Sequence, residues 1–253
     1  MKTFVIIKTG STFPAVQQQF GDFEDWMIDG CGLTAAEVPV IDAMAGETLP
    51  PLHSLAGVII TGSPAMVTDQ TDWMRSLASW IAQAVERNIP LLGVCFGHQL
   101  LAQAMGGGVD YHPEGREIGT VAINLTDEGR KDFLLGHLPE TFTAHVTHAQ
   151  TVTRLPASAL RLAGNPYEAH HAFRLGDSAW GVQFHPEFTA DIMHAYVRKH
   201  ADALRQEGRY VDAIKAGIDH TESANALLKR FYAYCLQKQE KAGTDAGSRH
   251  QWP

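Results

Sequence analysis

Four short aliphatic, β-branched runs in the N-terminal half constrain the fold more than any other feature of this chain. They are Phe4 to Ile7, Val38 to Ile41, Gly57 to Thr61 and Ile89 to Val94, the third closing on Gly62-Ser63-Pro64. Apolar runs of this length read as buried strands. Between the third and fourth, Trp73, Leu77, Trp80, Ile81, Ala84 and Val85 fall on one face of a helix over 73–87, with Asp72 or Thr71 as its cap. A second helix follows the fourth strand, Phe96 to Met105, and Gly106-Gly107-Gly108 stops it. Those glycines follow a helix and precede none, so they form no phosphate loop. Alternating strands and helices predict an open, mostly parallel α/β sheet with helices on both faces.

The pattern changes from Val109 to Gly181. Val121 to Leu125, Thr141 to Thr143 and Ala179 to Phe184 read as further strands with turns between them. From about residue 189 the chain reads as helical again, including Ala224 to Gln237, and Gln239 to Pro253 reads as a loose polar tail. No repeat or linker divides it. One domain is expected, with its body over 1–190 and a C-terminal helical extension and tail over 191–253.

A hydrophobic content of 45% against 19% charged residues allows a large core, and a net charge of -8 argues against a nucleic acid held through its phosphates. The three cysteines, Cys31, Cys95 and Cys235, are too few and odd in number for a disulfide framework and suit a reducing compartment. The apolar run near the N-terminus is too short for a signal peptide, and none reaches the length of a membrane span. The chain is therefore expected to be cytoplasmic, with neither membrane nor nucleic acid as a partner.

Two segments carry chemistry. Gly93-Val94-Cys95-Phe96-Gly97 has the form Gly-x-nucleophile-x-Gly between a strand and a helix. In such an elbow the nucleophile stands on a strained turn at the carboxyl edge of the sheet, and the glycines remove Cβ atoms that would collide. The helix N-terminus faces the sulfur and stabilises negative charge there, while the Phe96 N–H is placed to hold an oxyanion. The second segment, Gly181-Val182-Gln183-Phe184-His185-Pro186-Glu187, ends a strand on a histidine in a proline-stiffened turn. Glu187 is near enough to accept the imidazole Nδ1–H and leave Nε2 facing the sulfur. The order nucleophile, histidine, acid differs from the α/β-hydrolase order, in which the acid lies between the other two.

These two segments, with Ile59-Ile60-Thr61-Gly62-Ser63-Pro64 and Leu92 to Leu100, resemble a class I (triad) glutamine amidotransferase domain in family order, over roughly residues 1 to 190. The resemblance implies a flavodoxin-like fold, with Cys95 as nucleophile, His185 as base and Glu187 behind it. It implies that the Ser63 N–H joins that of Phe96 in an oxyanion hole, and that Gly62, Gln99, His148 and Gln150 line the site of a small γ-glutamyl substrate. No metal or cofactor is implied.

Three departures bear on function. The oxyanion loop, often Gly-Gly-Pro in the family, is Gly62-Ser63-Pro64. The segment His148-Ala149-Gln150-Thr151-Val152 carries neutral Gln150 where the family's aspartate receives the substrate α-amino group; Glu168 or Asp69 are the candidates to supply the missing charge. The stretch after residue 190 is too short for an ATP-dependent synthase domain. The Gly-Ser-Pro loop, Asp72-Trp73 and Cys-Phe-Gly-His-Gln also resemble stand-alone γ-glutamyl peptidases. Three readings stand: hydrolysis of glutamine to glutamate and ammonia through a thioester, with a synthase partner chain in trans; an autonomous γ-glutamyl peptidase or hydrolase; and a non-enzymatic binding or regulatory member. His145, His148, His170 and His171 lack the ligand spacing for zinc. Trp26, Trp73 and Trp80 read as packing residues. Asp22, Glu24 and Asp25, beside Phe20 and Phe23, read as candidates for a loop over the site.

Overall fold

The computed structural model describes residues 2–248. Its strands are β1 (Thr3–Lys8), β2 (Val40–Asp42), β3 (Leu55–Ile60), β4 (Leu91–Val94), β5 (Gly108–Tyr111), β6 (Glu117–Leu125), β7 (Thr141–His148), β8 (Gln150–Arg154), β9 (Ala159–Gly164), β10 (Ala172–Leu175) and β11 (Ala179–Val182). Its helices are α1 (Pro14–Phe20), α2 (Phe23–Cys31), α3 (Asp72–Glu86), α4 (Phe96–Ala104), α5 (Asp127–Lys131), α6 (Ala190–Gln206), α7 (Val211–Ala216) and α8 (Glu222–Ser248).

Among the described residues, nine strands form one sheet in the order β2-β1-β3-β4-β11-β10-β9-β6-β7, and β5 pairs with β8 apart from it. The strands from β2 to β11 run parallel, and the rest of the sheet continues antiparallel. The fold is the expected open, flavodoxin-like α/β sheet, with helices on both faces. Its parallel strands supply alternate residues to the two faces. From β1, Phe4 and Ile6 pack with Met27 of α2 and Leu228 and Phe231 of α8. Val5 and Ile7 pack on the other side with Leu77 and Ile81 of α3 and Leu100 and Leu101 of α4. Each such side chain, fully buried, stabilises the fold by about 1.5–3 kcal/mol.

The register of β4 against β11 matters most for the site. Val94 pairs with Val182 in parallel, so the residues that follow each strand emerge side by side at the carboxyl edge. The loops after β1 and β3 open on the same edge, the usual ligand position in open α/β sheets.

Several expectations need correction. Gln239 to Ser248 continues α8 and is no loose tail; 249–253 lie outside the described residues. Gln239, Glu240 and Lys241 are strong helix formers, so their polarity goes with a solvated helix rather than with a loop. Asp22, Glu24 and Asp25 form no loop: Asp22 caps α2 through a capping box with Asp25, and Glu24 lies in the helix's first turn. Thr71 is the N-cap of α3 but makes no side-chain cap hydrogen bond. The strands β5, β8, β9 and β10 and the helices α1 and α2 were not foreseen. Among the described residues no helix is long and apolar enough to cross a membrane.

Candidate active site

Cys95 follows β4 with φ +50° and ψ -99°. A non-glycine residue held in such a conformation costs on the order of 1–3 kcal/mol and persists only where its surroundings impose it. Here the flanking glycines impose it. A Cβ on Gly93 would lie 2.4 Å from the Gly97 carbonyl oxygen, and one on Gly97 would lie 2.5 Å from that of Ile60. The Cys95 N–H donates to Val182 O at 2.8 Å, tying the elbow to β11. α4 starts at the next residue, so its N-terminus faces the sulfur.

His185 leaves β11 and donates its backbone N–H to His145 O at 2.8 Å. Its Nδ1 lies 2.7 Å from Glu187 Oε1. The ring stacks on Phe188, centroids 4.1 Å apart, with Phe23 near-parallel at 6.4 Å. Asn225 of α8 donates from Nδ2 to Pro186 O at 2.7 Å and to Phe188 O at 2.9 Å, fixing the turn from a distant element. Burial by itself lowers the His185 pKa; the Glu187 carboxylate and then Cys95 outweigh it and raise it to about 10. Nε2 is buried and faces no hydrogen-bond partner of ordinary geometry, and Cys95 is the influence on the ring after Glu187. Gly62 sits against both partners. A Cβ there would meet His185 Cε1 at 3.1 Å and Cys95 Cβ at 3.7 Å.

Cys95 and His185 line one cavity with Ser63, Phe96, Gln99, His148 and Gln150. The Ser63 side chain is engaged within the protein: its Oγ donates to Thr9 O at 2.7 Å and accepts from the Ala65 N–H at 3.1 Å. Among the described residues the Ser63 and Phe96 N–H groups take no part in the backbone hydrogen bonding. Gln99 Nε2 donates to Gln150 O at 2.8 Å and to Gln183 Oε1 at 2.9 Å, so Gln99 braces the wall. His148 is also committed, through Nδ1 to Gln150 O and through Nε2 to Glu117, both at 2.9 Å. Gln150 donates from Nε2 to Thr68 Oγ1 at 2.6 Å, and its Oε1 is buried without a partner. Neither Glu168 nor Asp69 lines the cavity, and among the described residues no other carboxylate does. Glu168 is spent on Thr151 and the His170 N–H.

On the His185 side the cavity is walled by residues for which the sequence carried no local signal. Thr12, Phe13, Tyr196, His200 and Arg116 come from the loop after β1, from α6 and from the turn before β6. Tyr196 Oη lies 2.6 Å from Thr12 Oγ1, and Asp22 accepts the Thr12 N–H at 2.8 Å. That carboxylate also pairs with Lys8 at 2.9 Å, so Asp22 anchors the loop as well as α2. Among the described residues no group of three or more histidine, cysteine or carboxylate side chains is arranged to hold a metal ion.

Residues 26–203 match the family model described as glutamine amidotransferase class-I. A glutamine-hydrolysing GMP synthase of Aeropyrum pernix is 36% identical over 147 residues, 58% of this chain and 26% of that protein, so the chain spans about a quarter of that relative's length. Gamma-glutamyl peptidase 5 of Arabidopsis thaliana is 24% identical over 225 residues, 87% of this chain and 90% of that one. A glutamine amidotransferase crystal structure from Thermotoga maritima superposes with a TM-score of 0.72 at 20% identity, covering 93% of this chain and 98% of that chain. That likeness concerns the fold.

Proposed function

The chain belongs to the class I glutamine amidotransferase family, and from that premise we propose that it hydrolyses a γ-glutamyl amide through a thioester on Cys95. The observation that carries this reading is the strained Cys95 elbow beside a histidine whose Nδ1 is held 2.7 Å from Glu187. Cys95, as thiolate, attacks the γ-carbonyl carbon. The N–H groups of Ser63 and Phe96 face the oxygen on which charge develops. His185 gives its Nε2 proton to the departing nitrogen, and ammonia or an amine leaves as the thioester forms. The neutral ring then takes a proton from water, whose oxygen attacks the thioester, releasing glutamate and returning the thiolate–imidazolium pair. Glu187 keeps Nε2 directed at the reaction and stabilises the imidazolium without itself accepting the proton.

Gln150 bears on the strength of capture. Its unpartnered Oε1 offers the substrate α-ammonium an uncharged acceptor. Glutamine and γ-glutamyl conjugates carry the same α-ammonium, so this residue weakens the capture of both alike. Discrimination between them rests on the side of the cavity that holds the leaving amine.

The deciding experiment is trapping. Hydroxylamine added during turnover should divert the thioester to γ-glutamyl hydroxamate. A glutamine-analogue electrophile should modify Cys95 and spare Cys31, whose thiol burial pushes up to about 12, and Cys235, which burial also raises. Turnover retained by Cys95→Ala, or equal labelling of all three cysteines, would overturn the assignment.

A further inference from the structure

Arg116 stands on the turn leading into β6 and lines the cavity, among the described residues the one lysine or arginine to do so. Among the described residues its guanidinium makes no ion pair and no side-chain hydrogen bond. Glu207 influences it through charge without pairing, and Cys95 does so from the cavity. Arg116 is half-buried, and burial lowers its pKa from the ordinary value. A guanidinium taken partly out of water without a carboxylate partner loses hydration that nothing in the protein returns. Among the described residues no carboxylate lines the cavity to supply that partner.

Its place relative to the scissile bond follows from its neighbours. The glutamyl side of the cavity is built by Gln99 and Gln150, which are hydrogen-bonded to each other. The opposite side follows a chain of rings outward from the base: His185 on Phe188 at 4.1 Å, Phe188 on Tyr196 at 4.9 Å, Tyr196 on Phe13 at 5.3 Å, and Phe13 on His200 at 5.5 Å. Arg116 belongs to this second side: Ile118, two residues on, packs in one cluster with Phe188 and Tyr196, with Phe13 against it, and Arg116 lines the cavity together with Phe13, Tyr196 and His200. Burial, then Arg116 and Lys199, push His200 down to about 4, which leaves the ring neutral. Lys199 lies 5.2 Å from the centroid of the Phe13 ring but does not line the cavity, so among the described residues Arg116 is the cation that faces it. The leaving nitrogen must face His185 to receive its proton, so the group attached to that nitrogen extends along this wall.

We infer that Arg116 is the specificity residue of a leaving-group subsite that binds a carboxylate on the amine half of the substrate, which selects γ-glutamyl amino acids over glutamine. A guanidinium fork matches a carboxylate with two parallel hydrogen bonds. In a γ-glutamyl α-amino acid that carboxylate is one carbon from the scissile nitrogen. The flanking rings of Phe13 and Tyr196 would cover the side chain of the leaving residue. The inference rests on the hydrolase reading above and adds the class of its leaving group.

The test compares γ-glutamylalanine with γ-glutamylethylamide, which differs only in lacking the leaving-group carboxylate. A charge-assisted contact predicts that kcat/KM favours γ-glutamylalanine by about tenfold or more. Arg116→Met should bring that ratio to within about twofold, and Arg116→Lys should keep part of it, because charge remains but the fork is lost. A ratio near one in the unmodified chain overturns the inference. Equal losses on both substrates in Arg116→Met also overturn it, since they would place the guanidinium on the glutamyl carboxylate. Calorimetric binding of the same pair to Cys95→Ala, and to Cys95→Ala with Arg116→Met, separates the two readings. Preference in binding without turnover by the unmodified chain upholds the subsite and sinks the hydrolase. Turnover of both substrates without preference does the reverse.

Discussion

Glu187 Oε1 accepts from Nδ1 of His185 at 2.7 Å, while its Oε2 is buried with no partner of its own. The carboxylate is therefore spent on one imidazole. Glu187→Gln keeps the shape, but it removes the charge that favours an imidazolium and can present an N–H where an acceptor is needed. General acid–base catalysis contributes about 10²–10⁴-fold. His185→Ala should lose the upper end of that range in kcat. Glu187→Gln should lose the lower end, because Phe188 and the His145 carbonyl still hold the ring and its backbone. Steady-state kinetics on the two variants checks the order, and equal losses would mean that Glu187 takes part in proton transfer.

The pH dependence follows from the same pair. His185 is raised from its ordinary 6.5 to about 10, so the ring stays protonated through neutrality and loses its proton on the alkaline side. The kcat/KM profile should hold its plateau and fall as pH rises through about 10. The pair's contribution to stability is fully present below 6.5 and is lost as pH rises through that upper value. Glu187→Gln removes the leading cause of the rise, so its alkaline limb should move to lower pH. A profile whose alkaline limb ignores Glu187 would separate that limb from His185.

Gly62 packs against both His185 and Cys95. Its missing Cβ leaves the space in which His185 and Cys95 meet, with the His185 ring 3.1 Å from where that carbon would be. Gly62→Ala should push the ring by a few tenths of an ångström. The loss expected is about tenfold to a hundredfold in kcat, since small misplacements of reacting groups are costly. Thermal melting should barely change. Gly93→Ala should differ, because its Cβ would strike backbone 2.4 Å away and no side chain can yield. Overpacking of that kind costs about 1–3 kcal/mol or more, so its melting temperature should fall sharply.

These contrasts show which parts of the molecule were legible in the sequence. The β3, β4 and α4 segments and the His-Pro-Glu turn carry their geometry in local residue types: glycines where backbone crowds backbone, β-branched runs in a two-sided sheet, proline beside a histidine. Arg116 has no such mark. It reaches the cavity because β6 pairs antiparallel with β7, setting Glu117 opposite His148. Asn225 holds the His-Pro-Glu turn from α8, a long-range contact that no periodicity reports. The β9 strand was hidden because it is partly solvated, with Leu160 exposed and Leu162 buried, and β10 because it is short and interrupted by Arg174. Helix α2 was misread because Asp22, Glu24 and Asp25 look like loop residues until Asp22 is seen as a cap.

Gln150 provides the last test. Its Nε2 is fixed by Thr68, and its buried Oε1 stands unpartnered in a cavity without a carboxylate. Charge-assisted hydrogen bonds contribute about 1.5–3 kcal/mol against about 1 for neutral ones, and about 1.4 kcal/mol corresponds to tenfold in affinity. Gln150→Asp should therefore lower KM for free glutamine by about one order of magnitude, less whatever burial of the new carboxylate costs. Thr68 can turn its hydroxyl to donate to that carboxylate, which limits the cost. Every γ-glutamyl substrate carries the same α-ammonium, so KM for γ-glutamylalanine should fall by the same factor, with kcat little changed for either. A gain confined to one substrate would remove Gln150 from the α-ammonium. No gain on either, with the unmodified chain already hydrolysing glutamine efficiently, would show that the neutral residue is no handicap.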